Sequence, residues 1–337
     1  MSPAQRPICY AKVMAARSLN NDADALENGP PITAMLMQNA NSANVAPDSA
    51  AVRRGLTRED LFLCVHEQFM TATAQCADIV LPAAMSFEYD DIYYGLGHTA
   101  ITFGPKLIEP YAQTRSNHDV VCQLAQRLGA EHPGFEMTAL ELIDDALRRS
   151  GLGDLNGIAE RGYVERPMTF EEGHFTDGFP NDTGRFRFKP DWQALGRYHE
   201  RLPSIVDYAD IIEQATDEHP FRLVTPPARM FLNTSFTETP SARANQGRPT
   251  ALIHPDDAEP AGIEDGARVS VGNARGELSL HAKRFAGMQP GTIVIEGIWP
   301  NRDFTGGVGV NLLVGADPVP PAGGVAFHDS AVWLRRS

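Results

Sequence analysis

The sequence predicts an α/β domain with a doubly wound, mostly parallel sheet, followed by a C-terminal β-barrel domain. Two apolar runs in the first half, residues 61–65 and 79–81, are short, unbroken and rich in branched side chains. Such runs are typical of strands buried in parallel sheets. The last third carries short β-type segments at even spacing, with Gly and Pro turns between them, which indicates a closed barrel. A chain of 337 residues is long enough for both units.

Charge and composition exclude several classes of protein. A net charge of -14 argues against a surface for nucleic acid or anionic lipid, because both need clustered Lys and Arg. No stretch reaches the roughly 20 apolar residues of a membrane-spanning helix. Residues 1–12 lack the apolar core of a signal peptide. We therefore expect a cytoplasmic protein with no nucleic-acid partner and no membrane span.

The four cysteines are widely separated in the chain. None belongs to a C-x-x-C pair of the kind that holds zinc or an iron–sulfur cluster. Free thiols in a reducing compartment are the prediction for all four, Cys9, Cys64, Cys76 and Cys122.

The first elements alternate between strand and helix. Residues 32–37 form a strand candidate, and an Asn-rich loop over residues 38–47 follows it. Asp48 is a suitable N-cap for a helix over residues 49–56, which leads to the strand at residues 61–65. The start of this helix could bind an anion, and a plain capped loop is the alternative.

His66 and Glu67 stand where the second predicted strand ends. In open α/β sheets the carboxyl ends of the strands face the ligand crevice, so both residues are binding candidates. Residues 70–77 are rich in Ala and Thr and predict a short helix. The next strand, residues 79–81, is ended by Pro82.

Two further patterns look like functional motifs and are assigned to surface structure. Residues 95–100 fit the G-x-G-x-x-A pattern of dinucleotide folds, but no clear strand precedes them and no acidic residue follows at the required distance. A glycine-bearing turn is therefore predicted. Glu171, Glu172 and His174 lack a further His or Cys at ligand spacing, which favours a solvated loop over a metal site.

Two helices follow this region. Residues 117–128 predict a helix with Asn117 as its cap, and a second helix is expected near residues 138–149. Four apolar residues of the first helix form a stripe at helical spacing, which predicts burial in a core: Val120, Val121, Leu124 and Leu128.

A new unit begins near residue 220. Its predicted strands are residues 221–225, 250–253, 267–271, 277–282 and 292–296. A polar turn over residues 226–239 follows the first strand and carries several side chains suited to binding.

Several of these segments, in this order, resemble the molybdopterin oxidoreductase family of the dimethyl sulfoxide reductase type. The likeness lies in NANSANVAPD with TATAQCADIVLPAAMSFE, and in HPDDAEPAGIEDGARVSVGNARGELSLHAK and GVGVNLLVGADP near the C-terminus. The resemblance implies a bis-molybdopterin guanine dinucleotide with molybdenum and a double-psi-like barrel. It also implies three parts: a dinucleotide-binding domain (1–135), a return segment of a second lobe (136–217) and a dinucleotide-binding barrel (218–337).

The resemblance also implies residues that hold the cofactor. Asn41 corresponds to an Asn beside the nucleotide, and Glu67 and Asn117 have the carboxylate and carboxamide that read a guanine edge. His66 is included because it neighbours Glu67. The barrel contributes the rest of the expected set: Thr225, Arg229, Asn233, Ser235 and Asn311.

The resemblance covers the C-terminal half of such an enzyme. In the family, the protein ligand of the metal and the iron–sulfur cluster belong to the N-terminal half, so neither is expected here. We predict a portion of an oxidoreductase that acts on a small-molecule substrate and is inactive without an N-terminal half or a partner that transfers electrons. An exposed apolar face is expected where that half would pack.

Two alternative functions remain to be compared with this prediction. A truncated homologue could act as a non-catalytic cofactor-binding module. An independent hydrolase has little support, since no G-x-S-x-G motif is present.

Overall fold

The computed structural model describes residues 16–22, 30–195, 198–205, 207, 213–321 and 323–337. Cys9 lies outside the described residues. The three described cysteines are free and partly exposed, and no metal-binding cluster is found in this part of the chain.

A three-stranded parallel sheet forms the first unit. Its elements are β1 (Ala34–Gln38), α1 (Ser42–Val45), α2 (Ser49–Leu56), β2 (Phe62–Glu67) and β3 (Ile79–Pro82). The strands lie in the order β1-β2-β3, and both pairings are parallel. The predicted parallel sheet is therefore confirmed.

Helix α2 covers one face of this sheet. Asp48 begins the helix by accepting a hydrogen bond from the Ala51 N–H at 3.0 Å, which confirms the predicted cap. Val52 and Leu56 of α2 are buried against the strand residues Leu63 and Val65. Alternating side chains of β2 thus form the core of this unit.

Residues 70–77 do not form the predicted helix. Only a three-residue 3₁₀ turn, Ala74–Cys76, is present. Thr73 is bound to the Asn41 side chain through both its N–H and its hydroxyl group, at 3.2 and 3.1 Å. Because side-chain bonds of this kind compete with helical ones, local composition did not determine this segment.

The other face of the sheet is open. Helix α3 (Asn117–Leu128) lies over it and leaves a groove of about 1060 Å³. Phe62 of β2 is 51% exposed and Leu128 of α3 is 73% exposed. The predictions that β2 is buried on both faces and that the α3 stripe is core are therefore wrong. Residues of both elements line the groove, among them Leu36, Phe62, Cys64, Leu81, Val120, Leu124 and Leu128.

A small antiparallel sheet stands beside the first unit. Strands β4 (Asp91–Tyr94), β5 (Ala100–Gly104) and β6 (Tyr163–Glu165) form it in that order. Helices α4 (Ala139–Arg149) and α5 (Leu155–Arg161) pack on it through a separate apolar cluster. This sheet includes residues on both sides of position 135, and the division there stays a prediction.

Residues 95–99 form the turn between β4 and β5, as predicted, although a strand does precede them. Glu171, Glu172 and His174 lie in a short exposed helix, α6 (Phe170–His174), and not in a loop. A further short helix, α7 (Trp192–Leu195), follows.

The C-terminal unit is a closed barrel of six strands. The predicted strands are present as β7 (Phe221–Val224), β8 (Thr250–Ile253), β9 (Arg268–Asn273), β10 (Gly276–Arg284) and β11 (Thr292–Ile295). A sixth strand, β12 (Ser330–Arg336), was not predicted. Two short helices, α8 (Pro240–Gln246) and α9 (Pro255–Ala258), connect β7 to β8 and β8 to β9.

The barrel closes in the order β10-β8-β11-β7-β12-β9. Strands β7 and β11 pair in parallel, as do β8 and β10, while the remaining pairs are antiparallel. Strand β12 completes the ring between β7 and β9, which removes the exposed edges. Inward-facing side chains fill the interior, among them Leu223, Ile253, Val271, Leu278, Ile293 and Val332.

Candidate functional site

Polar residues lie at the carboxyl ends of β1 and β2, beside the start of α3. We call this group, Gln38, Asn39, His66, Glu67 and Asn117, the strand-end cluster. The Asn39 N–H donates to the His66 carbonyl oxygen at 2.9 Å. The Asn39 amide donates to the Asn117 side-chain oxygen at 3.4 Å, which is long for a hydrogen bond. Both carboxamides therefore keep capacity for other partners.

His66 is the buried member of the strand-end cluster. Its side chain is 0% exposed, and both ring nitrogens are bonded within the protein. Nδ1 lies 3.2 Å from the Gln38 amide nitrogen, and Nε2 lies 3.1 Å from the Arg115 carbonyl oxygen. His66 can therefore act on a bound molecule only through the residues that it holds.

Glu67 is the acidic member of the strand-end cluster. Its carboxylate is half-buried, and loss of water around it raises the pKa of the side chain. The Gln68 N–H, which donates to this carboxylate at 2.8 Å, opposes that rise. The group is a hydrogen-bond acceptor at the exit of the sheet.

Ser116, and not Asn117, is the N-cap of α3. Its hydroxyl accepts a hydrogen bond from the Asp119 N–H at 3.1 Å, and the Asp119 carboxylate accepts one from the Ser116 N–H at 3.3 Å. This reciprocal pair is a capping box. The Asn117 side chain is thus released from capping and is exposed in the first turn of the helix.

A cleft of about 200 Å³ lies between the parallel sheet and the barrel. Loops of both units line this inter-domain cleft, through Asn41, Arg53, Thr71, Gln75, Thr234, Thr237, Glu238 and Arg302, among others. Arg302 is paired with Glu238 at 2.7 Å. The guanidinium group of Arg53 has no hydrogen bond or ion pair within the described part of the chain.

Buried asparagines hold the two units together behind this cleft. The Asn44 amide donates to the Trp299 carbonyl oxygen at 3.2 Å, and the Asn44 side-chain oxygen accepts from the Asn301 N–H at 2.9 Å. The amide of Asn311 donates to the Asn44 carbonyl oxygen at 3.0 Å. Asn311, expected to contact a cofactor, is 3% exposed and joins the barrel to the loop after β1.

The remaining candidates lie on the barrel loop after β7. The Thr225 hydroxyl donates to the Phe327 carbonyl oxygen at 2.8 Å. Arg229, Asn233 and Ser235 are exposed, and the cleft lining includes their neighbours Thr234 and Thr237 but not these three. The structure thus brings Asn117 to Gln38 and Asn39 at the strand ends, shows no hydrogen bond between the described residues Asn117 and Glu67, and leaves Arg229 on the barrel surface outside the cleft lining.

Sequence reasoning did not single out four residues that the structure adds to these groups. Gln38 and Asn39 belong to the Asn-rich loop region, and Thr71 begins the T-x-T segment, so a motif was present in each case. Arg53 lies on the exposed side of α2, and no sequence signal distinguished it from other surface arginines.

Comparison with known proteins identifies two family models in this chain. Residues 13–127 match molybdopterin oxidoreductase, and residues 221–331 match the molydopterin dinucleotide binding domain. No helix among the described residues combines the length and apolar character needed to cross a bilayer.

Similar proteins extend beyond the part that this chain matches. The probable oxidoreductase YoaE of Bacillus subtilis is 32% identical over 321 residues, which is 92% of this chain and 45% of that protein. The trimethylamine-N-oxide reductase of Haemophilus influenzae is 25% identical over 307 residues, which is 82% of this chain and 37% of that protein. The chain thus spans less than half the length of these relatives.

A solved structure has the same fold. The acetylene hydratase of Pelobacter acetylenicus superposes with a TM-score of 0.77 at 19% identity, and the match covers 96% of this chain and 46% of that one. At this identity the likeness shows the fold alone.

Proposed function

The chain belongs to the molybdopterin oxidoreductase family, whose cofactor is molybdenum held by bis-molybdopterin guanine dinucleotide, and we propose that it supplies part of the cradle for the dinucleotide. The observation that carries this proposal is the approach of two exposed carboxamides, Asn39 and Asn117, beside the end of β2, which also carries Glu67. The bound metal would supply two-electron chemistry, by transfer of an oxygen atom or a hydride equivalent.

The strand-end cluster has the donors and acceptors that a guanine edge requires. Guanine presents two adjacent N–H donors next to an oxygen acceptor, and a carboxylate accepts both donors at once. Glu67 is the acceptor in this arrangement. Asn39 and Asn117, whose mutual contact is 3.4 Å long, are free to pair with the remaining base and ribose atoms.

The inter-domain cleft suits the diphosphate. Two loops, residues 38–41 and 67–71, lead from the strand-end cluster to the cleft. Arg53, which has no ion-pair partner among the residues that the structure describes, offers a cation there, and the hydroxyl of Thr71 offers a hydrogen-bond donor. These two side chains neutralise and bind the phosphates in an otherwise acidic protein. Asn41 and Thr234 complete the walls from the two units.

Residues of the barrel loop after β7 complete the proposed site. Thr225, Arg229, Asn233 and Ser235 belong to one loop, and in this proposal they contact the dinucleotide beyond the cleft. His66 and Asn311 support the site from buried positions. No catalytic residue is assigned, and the cytoplasmic location stays a prediction.

A binding experiment tests the proposal. The purified chain is titrated with guanosine diphosphate and adenosine diphosphate, as probes of the dinucleotide tail, and heat release is measured. We expect a preference for guanosine diphosphate. Glu67→Gln should lower that affinity about 5- to 150-fold, since a bidentate base contact contributes about 1–3 kcal/mol.

The control is Glu141→Gln, which removes an exposed carboxylate from the start of α4, away from the strand-end cluster. Its affinity for guanosine diphosphate should equal that of the wild type. Equal affinity of the wild type for both nucleotides would contradict the proposal.

A second experiment distinguishes a portion of an enzyme from a module that binds the cofactor without catalysis. The chain is purified with and without a co-expressed N-terminal half of a relative, and molybdenum content and reduction of a small substrate are measured. If molybdenum and substrate turnover are found only in the sample that contains both halves, the result supports the proposal that this chain is part of an enzyme. Retained dinucleotide without turnover in either sample supports the non-catalytic module.

A further inference from the structure

We infer that His66 is a positioning residue that sets the guanine preference of the strand-end cluster, an inference that rests on the proposed function. His66 is fully buried, so it does not touch a nucleotide itself. Its ring and its backbone are nevertheless bonded to both of the segments that carry the exposed carboxamides.

The hydrogen-bond partners determine the tautomer of His66. The Gln38 amide nitrogen lies 3.2 Å from Nδ1 of His66 and 3.4 Å from the carbonyl oxygen of Asn117. The shorter of the two contacts places the Gln38 NH₂ group against Nδ1, which accepts from it. On the other side, Nε2 faces the Arg115 carbonyl oxygen and donates its proton there. His66 is therefore the neutral Nε2–H tautomer.

This tautomer holds the chain just before α3. The Arg115 carbonyl oxygen accepts from Nε2–H of His66 at 3.1 Å and from the Ala84 N–H at 2.9 Å. The Arg115 N–H donates to the Pro82 carbonyl oxygen, which makes residue 115 an extension of the sheet beside β3. Asn117 follows two residues later, so its side chain is placed by a segment that His66 anchors.

The backbone of His66 holds the other carboxamide. Its carbonyl oxygen accepts from the Asn39 N–H at 2.9 Å, and Asn39 has a left-handed backbone with φ of 48°. His66 is thus bonded both to Asn39 and to the segment that precedes Asn117. The mutual contact of Asn39 and Asn117, at 3.4 Å, is too long to set their separation by itself.

The inference explains why a buried histidine stands next to Glu67. An apolar side chain of similar size would leave the Arg115 carbonyl oxygen with one partner fewer and the Gln38 amide with none at this position. The start of α3 would then move relative to β1, and a base held between the two carboxamides would lose its fit.

The test compares nucleotides that differ only at the base. Inosine diphosphate lacks the exocyclic amino group of guanosine diphosphate, so the ratio of the two affinities measures how well that group is read. Variants of the full chain are titrated with both probes. We expect His66→Leu to lower affinity for guanosine diphosphate about 10- to 100-fold, by analogy with the loss of an outer partner of a metal ligand. The preference over inosine diphosphate should fall toward one.

Two further variants keep the inference testable if His66→Leu does not fold. Gln at position 66 can donate to the Arg115 carbonyl oxygen and accept from Gln38, so His66→Gln should keep the wild-type preference. Gln38→Ala removes a partly exposed side chain and should reduce the preference in the same direction as His66→Leu.

The matched control is His118→Leu. His118 also bonds a backbone carbonyl oxygen, that of Met137 at 2.8 Å, but it lies on the side of α3 away from the strand-end cluster. It should change stability without changing the ratio of affinities. An unchanged ratio in His66→Leu and Gln38→Ala, with a wild type that prefers guanosine diphosphate, would overturn the inference alone. A wild type without that preference would overturn the proposed function and this inference together.

Discussion

Asn44 in α1 bonds the segment after β1 to the barrel through both atoms of its side-chain amide. Replacing it by alanine leaves the Trp299 carbonyl oxygen and the Asn301 N–H without these partners at a buried contact. An unsatisfied buried polar group costs about 1–3 kcal/mol, and we expect Asn44→Ala to lower the free energy of unfolding by at least this amount. Urea denaturation measures the change.

The control for this change is Asn156→Ala, which alters an exposed asparagine within α5. Alanine favours helix formation by a few tenths of a kcal/mol there, roughly the difference in helix propensity. An Asn44→Ala protein as stable as the control would contradict the assigned role of the contact.

Glu67 makes the stability of the protein depend on pH. Burial raises the pKa of its carboxyl above the ordinary value of 4.5, so the folded state binds the proton more tightly than the unfolded state. This stabilisation is complete below the ordinary pKa and is lost as pH rises through the raised one. Glu67→Gln removes the titrating group. Its free energy of unfolding, relative to the wild type, should therefore increase from about pH 4 to about pH 7.

Glu141→Gln should show the opposite trend in the same urea series. Hydrogen bonds from Thr138 lower the pKa of the Glu141 carboxyl. The stabilisation from this group is present above its ordinary pKa and is lost at lower pH, so the variant becomes relatively less stable as pH rises. A parallel trend in both variants would contradict the pKa direction given for Glu67.

At the scale of one element, Gly55 allows α2 to pack closely against residue 19. A Cβ atom at position 55 would lie 2.6 Å from the Leu19 Cβ and 2.9 Å from its carbonyl group. Gly55→Ala should therefore lower the free energy of unfolding by about 1–3 kcal/mol, despite the better helix propensity of alanine. Thermal denaturation measures this.

Gly157→Ala is the matched control within helix α5. The nearest atom to its added Cβ is a carboxylate oxygen of Asp154 at 3.4 Å, an ordinary contact. This variant should gain about 0.5–1 kcal/mol, the difference between Gly and Ala in a helix. Equal effects of the two substitutions would show that the close approach at Gly55 does not constrain the helix.

At the scale of the whole molecule, the groove between the sheet and α3 exposes apolar side chains of both elements. Leu124 and Leu128 are 39% and 73% exposed, so changing both to serine removes little packing. We expect the double variant to change the free energy of unfolding by less than about 1 kcal/mol. It should also bind less of a hydrophobic fluorescent dye and associate less with itself, because apolar patches promote both.

Leu56→Ala serves as the contrasting variant on the opposite face of the sheet. Leu56 is 1% exposed, and its truncation should cost about 2–5 kcal/mol without changing dye binding to the native protein. A large loss of stability in the serine double variant would mean that the groove is closed in solution.

Strands and caps with strong local signals were predicted correctly. The unbroken apolar runs became β2 and β3, and five barrel strands followed from even spacing and turn residues. Asp48 was recognised because an acceptor side chain at the start of a helix satisfies a free N–H regardless of distant residues. Interactions between neighbours in the chain are sufficient for such features.

Other features could not be predicted because adjacent residues in the chain were equally suited to the same role. Ser116 and Asn117 are both suitable caps, and the partner at Asp119 decided between them. The stripe on α3 correctly signals an apolar surface, but a pattern does not say whether that surface is covered. The same limit applies to the candidate site. His66 and Asn311 were predicted to bind the cofactor, and in the structure both are buried and bonded to other parts of the protein.

The sequence alone determined the family, the strand and helix alternation, the barrel and the polar character of the strand ends. Only the tertiary structure decided which of the polar residues face outward, that Arg53 lies at the cleft, and that one face of the sheet is open. The physical reason is that periodicity and caps act over a few residues, whereas exposure and pairing depend on segments far apart in the chain. The Asn44–Asn311 contact, for example, joins residues 267 positions apart.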